Sequence, residues 1–138
     1  MSLNKAVYQY QQSSVFTATP EELTLMLYNG CIKAIRFAEI SIDDKNYEKA
    51  NFYICKAEAI IRELRNTLDM QYEISENLYN LYTYFLKRLI DANIKKDNSI
   101  LEEVLHFVED LRDTWSQAMK QARIENSQGQ SGYMQQNG

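Results

Sequence analysis

From Pro20 onward the apolar residues recur at intervals of three and four, the spacing that gathers side chains on one face of an α-helix. The first such segment, about Pro20 to Ile42, places Leu23, Met26, Leu27, Cys31, Ala34, Ala38 and Ile42 together, and Asp43-Asp44-Lys45-Asn46 follows as a polar turn. A second, about Tyr47 to Leu68, carries Ala50, Ile54, Ala57, Ile61, Leu64 and Leu68, a narrow seam suited to close packing against another helix. Ser75 is the expected cap of a third, which aligns Leu78, Leu81, Tyr82, Phe85, Leu86 and Leu89 as far as Asn93. After a turn at Lys95 to Asn98, the fourth, about Ser99 to Ile124, aligns Ile100, Val104, Phe107, Val108, Leu111, Trp115, Ala118 and Ala122. No strand period produces such a stripe.

The start of the first helix is marked by Thr19-Pro20-Glu21-Glu22: Thr19 caps free N–H groups, Pro20 suits the first helical turn and Glu22 completes a capping box. Residues 1–18 lack a sustained period and read as a mobile N-terminal arm with scattered apolar points at Leu3, Val7, Tyr8, Tyr10, Val15 and Phe16. Residues 125–138, polar and glycine-containing, read as a disordered tail. Four amphipathic segments joined by short turns predict an all-α fold, an antiparallel four-helix bundle over residues 19–124.

Composition narrows the function. In 138 residues there is one proline, and three of the four glycines lie near the C-terminus, so little interrupts the helices. A net charge of −4 gives no electrostatic reason to bind a phosphate backbone. No apolar run approaches the roughly 20 residues that span a bilayer, and the N-terminus has no signal-peptide pattern, so a cytoplasmic protein without membrane insertion is expected. Cys31 and Cys55 sit within helical patterns without metal or redox spacing, and His106 is the single histidine. The neighbouring carboxylates Glu21/Glu22, Asp43/Asp44 and Glu102/Glu103 point about 100° apart on a helix, as solvated charge does. A di-iron bundle needs two Glu-x-x-His motifs, which are lacking. Neither an enzyme nor a cofactor or metal is expected.

The positive signal is surplus apolar surface. On a helical wheel Leu25 and Ile32 fall nearly opposite Leu23, beside Asn29 and Arg36, and the apolar arc of the third helix widens through Tyr79 and Ile90 to about half the circumference. Ten tyrosines exceed what a small core satisfies with hydroxyl partners. Together these predict a hydrophobic groove open to a partner, which the arm, through Tyr8, Tyr10 and Phe16, is placed to cover.

Three stretches carry a family likeness. Tyr10-Gln11-Gln12-Ser13-Ser14-Val15 leading into Thr17-Ala18-Thr19-Pro20-Glu21-Glu22-Leu23 and Leu25-Met26-Leu27-Tyr28-Asn29-Gly30 resembles the opening of the flagellar secretion chaperone family, FliS. Leu78 to Leu89, closing with Ala92-Asn93 and Asp97, and Leu111-Arg112-Asp113-Thr114-Trp115 resemble later parts of it. The resemblance, over about residues 5 to 122, implies a bundle that binds the disordered C-terminal region of flagellin, prevents its premature polymerisation and delivers it to the flagellar export gate. It also implies an arm, around the tyrosine matching Tyr10, that occupies part of the groove when flagellin is absent. The expected partner-binding residues are Val7 and Tyr10 as arm anchors and Leu25, Tyr28, Ile32, Tyr79, Tyr82 and Ile90 in the groove. The competing reading is a structural homodimer whose surplus stripes pair with a second copy.

Overall fold

A computed structural model describes residues 17–137, with side chains as far as residue 129. Four helices follow one another: α1 (Pro20–Asp43), α2 (Tyr47–Asn66), α3 (Glu73–Lys95) and α4 (Asn98–Asn137). They form a ring in which α1 packs on α2 and α4, and α3 packs on the same two. Cross-links give the direction. Arg65 meets Thr83 and Asn51 meets Asn93 between α2 and α3, while Asn98 reaches Asp43 and Trp115 reaches Glu21 between α4 and α1. Each neighbour therefore runs antiparallel, the four-helix bundle that the stripes predicted.

The helix ends follow from side-chain chemistry. Thr19 accepts a bond from the Glu22 N–H at 3.2 Å, as its capping-box position anticipates. Lys45, in the left-handed conformation at φ 57°, ends α1, and the Lys45 and Asn46 N–H groups bond back to Ile42 and Ser41 at 2.9 and 2.8 Å. Asp97 receives both the N–H and the hydroxyl of Ser99 and so starts α4. Ser75 is not the cap of α3. That helix begins earlier, at Glu73, and Ser75 is buried with its hydroxyl donating to the Asp69 carbonyl at 2.6 Å, tying the α2–α3 connection to the bundle.

The core seam of α2 is as expected, with Ala50, Ile54, Ala57, Ile61 and Leu64 buried. In α1 the buried face is Tyr28, Cys31, Ile32, Ala34, Ile35 and Ala38, whereas Leu23 and Met26, expected inside, are exposed. A helix in a ring touches two neighbours, so its buried arc is broader than one stripe and takes in Ile32 on the α4 side. Leu101 and Leu105 of α4 join the core for the same reason.

The two ends of the bundle differ. At the closed end, beside the α1–α2 and α3–α4 turns, Ala38, Ala50 and Ala92 are wholly buried and let the helices approach. At the open end lie the start of α1, the α2–α3 connection and the Trp115 turn of α4. Beyond Trp115 no described helix runs beside α4, and Ala118 and Ala122, expected in the core stripe, are exposed. The helix nevertheless continues to Asn137, where the sequence suggested a disordered tail. No proline interrupts that stretch, and a Cβ at Gly129 would meet nothing within 4 Å.

Candidate partner-binding site

The open end holds a cavity of about 440 Å3 with contributions from all four helices. Leu64, Leu68, Leu78 and Trp115 form apolar walls, Tyr72 and Ile74 stand at the α2–α3 connection, and Tyr28 and Tyr82 line the interior. A neighbouring cleft of about 400 Å3 shares Pro20, Thr24 and Thr67 with it and adds Leu23, Met26 and Leu27. Apolar side chains stand exposed beside it: Tyr72, Ile74 and Met70 are 65%, 63% and 59% exposed. Exposed side chains of this kind grouped around a hollow mark an interaction site.

Three features hold this end in shape. The Trp115 indole N–H donates to the Glu21 carbonyl at 3.0 Å, fastening α4 to the first turn of α1. Asp69 accepts the Gln71 N–H at 3.0 Å and fixes the α2–α3 connection. Across the bundle, the hydroxyls of Tyr28 and Tyr82 lie 2.5 Å apart. Burial pushes both phenols above the ordinary tyrosine range; for Tyr82 the neighbouring Tyr28 adds to the effect, and for Tyr28 the bond to Tyr82 partly offsets it. Both keep their protons near neutrality.

The expected groove residues divide into three sets. Tyr28, Ile32 and Tyr82 belong to the core, not to an open groove, and the first and last of them form the inner wall of the cavity. Leu25 is half-buried. Tyr79 and Ile90 are exposed on α3 but do not line the cavity, and the Arg65 guanidinium sits 5.3 Å from the Tyr79 ring centre. Val7 and Tyr10 lie outside the described residues. The walls supplied by Leu64, Leu68, Leu78 and Trp115 were expected as plain core; only their position where the bundle opens gives them a second role.

Among the described residues no group of three or more His, Cys, Asp or Glu is placed to hold a metal, and none of their helices is long and apolar enough to cross a membrane. Cys31 is enclosed in the core, and burial raises its thiol to about 12, far from a reactive thiolate.

Comparison with known proteins agrees with this picture of a binding bundle. The family model described as flagellar protein FliS matches residues 3–122. The flagellar secretion chaperone FliS of Bacillus subtilis is 46% identical over 123 residues, covering 89% of this chain and 92% of that one. Its namesake from Escherichia coli is 32% identical, covering 78% and 82%. A crystal structure of a flagellar chaperone from bacteria superposes with a TM-score of 0.70 at 21% identity, over 85% of this chain and 97% of that one, and so shares the fold. The chain belongs to the FliS family of flagellar secretion chaperones.

Proposed function

We propose that the open-end cavity and its flanking cleft receive the C-terminal segment of flagellin, hold it apart from other flagellin molecules in the cytoplasm and release it at the flagellar export gate. Membership of the family makes the chain a flagellar export chaperone and not an enzyme; the identity of the client and its seat on the bundle are what this reading adds. The observation that carries it is the apolar hollow at the open end, with exposed Tyr72 and Ile74 in its lining and exposed Leu23 and Met26 in the adjoining cleft. A disordered segment that lays apolar side chains there gains burial, provided the interface is large enough to offset the entropy of ordering it. The arm joins the bundle at Thr17, immediately before the Pro20 rim of both hollows. Val7 and Tyr10 are the side chains proposed to cover the site in the absence of client.

Titration calorimetry with a peptide of the last ~40 residues of the cognate flagellin, enough to form a standard interface, tests this. Submicromolar binding with a negative heat-capacity change is expected, and Tyr10→Ala is expected to tighten it by removing a competitor. A folded protein that ignores the peptide and sediments as a stable dimer would replace this reading with that of a structural homodimer.

A further inference from the structure

The buried phenol pair has one proton more than it uses. Two hydroxyls in contact carry two protons, and a single bond between them consumes one. Tyr28 and Tyr82 are 3% and 2% exposed, and among the described residues no other acceptor bonds to either oxygen. A buried donor without an acceptor is unfavourable by about 1–3 kcal/mol, so such donors usually meet a ligand or solvent. Both residues line the cavity, the side from which a partner for the remaining proton would come. The charge around the hollow restricts what that partner is: Glu21 and Asp69 line it, and no Lys, Arg or His does. A carboxylate entering there would lose its hydration beside two acidic groups with no cation to meet it.

Resting on the client-binding reading above, we infer that the Tyr28–Tyr82 pair is a recognition point that donates a hydrogen bond to an uncharged oxygen, a backbone carbonyl or a side-chain carboxamide, of an apolar peptide segment seated in the cavity. The apolar walls select for hydrophobic side chains, and the phenol pair sets the depth and register at which the segment rests. One hydroxyl bonds to the other, and the second bonds to the client, so the two act as a short relay across the bundle from α1 to α3.

The double variant Tyr28→Phe/Tyr82→Phe tests this. Because both partners are replaced by apolar groups of the same shape, the bundle should unfold at or near the wild-type temperature. Its affinity for the flagellin peptide should fall roughly tenfold or more, since the client's oxygen is then buried unpaired. Undiminished affinity in the double variant, with the wild type binding well, would overturn the inference and leave the client-binding reading intact. If the wild type does not bind the peptide, that reading fails, and a pair of small probes still decides this one. N-cyclohexylacetamide should shift the tyrosine NMR signals of the wild type, saturably and far more than cyclohexylacetate does, and should lose that preference in the double variant. Equal responses to the amide and the carboxylate, or an amide response unchanged by the double substitution, would overturn it.

Discussion

The two ends of this bundle are built from the same kind of helix and packed to opposite purposes. At the closed end Ala38, Ala50 and Ala92 are completely buried, as are Ile54, Leu89 and Leu101, so backbones come close. At the open end Leu64, Leu78 and Trp115 bound a hollow, and among the described residues apolar side chains project from its rim. Small residues thus allow close approach at one end, and the proposed client seat lies at the other, where the helices leave an apolar hollow. A chaperone needs both, because a surface that offers burial to a client must be held open by something that does not itself need the client to fold.

Truncation should separate the ends most sharply. Ile54→Ala, at a fully buried position, is expected to destabilise the fold by about 2–5 kcal/mol. Leu78→Ala removes a partly buried wall of an existing hollow, so less contact is lost and the effect should fall below that range. Denaturant unfolding of the two variants checks the order, and equal losses would mean that the open end is as tightly packed as the closed one.

Enlargement should give a smaller effect of the same asymmetry. Ala50→Leu inserts methylenes where Ala50 has no exposed surface, at about 1–3 kcal/mol of strain. Thr24→Leu grows into the hollow, and its stability should stay within about 0.5 kcal/mol of wild type while flagellin-peptide binding weakens. A strongly destabilised Thr24→Leu would show that the hollow cannot accept added side-chain volume.

How much of this was readable beforehand depended on which level the sequence encodes directly. The α2 seam was readable because Ala50, Ile54, Ala57, Ile61 and Leu64 form one narrow stripe, and the Thr19 cap because its partner is three residues away. The face of α1 is not legible in this way because a wheel weighs a helix by itself, whereas Ile32, which shares a surface cleft with Arg112 of α4, is buried in the ring. Tyr82 is buried in the stripe expected for α3, and Tyr28, expected only in the groove, is core as well. Their meeting across 54 residues of sequence is a property of the ring that no local pattern contains. The cavity was hidden for a related reason: its walls are ordinary stripe residues, and a hollow is a fact about where helices end.

A further expected effect, weakened by solvent because Glu39 is only half-buried, is a titration at the closed end. Glu39 of α1 faces Glu102 of α4, with Asp43 one turn further on and Arg36 a turn before. Burial raises the Glu39 pKa to about 8, helped by the hydrogen bond with and repulsion from Glu102 and by Asp43, and opposed by Arg36. The folded chain thus keeps a proton that the unfolded chain releases above the ordinary value of 4.5. This contribution to stability is complete below that value and is lost as pH rises through about 8. Glu58, raised chiefly by its burial, acts in the same direction. Glu103, lowered by bonds from Tyr84 and Arg88, and Asp97, lowered by Ser99, withdraw their support only on acidification below the usual carboxylate range, so they do not oppose the trend near neutrality. The thermal midpoint of the wild type should accordingly fall between about pH 5 and pH 8, and Glu39→Gln, which cannot ionise, should flatten that fall while leaving the Tyr28–Tyr82 end unchanged. Superimposable pH profiles for the two proteins would show that the carboxyl pair does not hold its proton in the folded state.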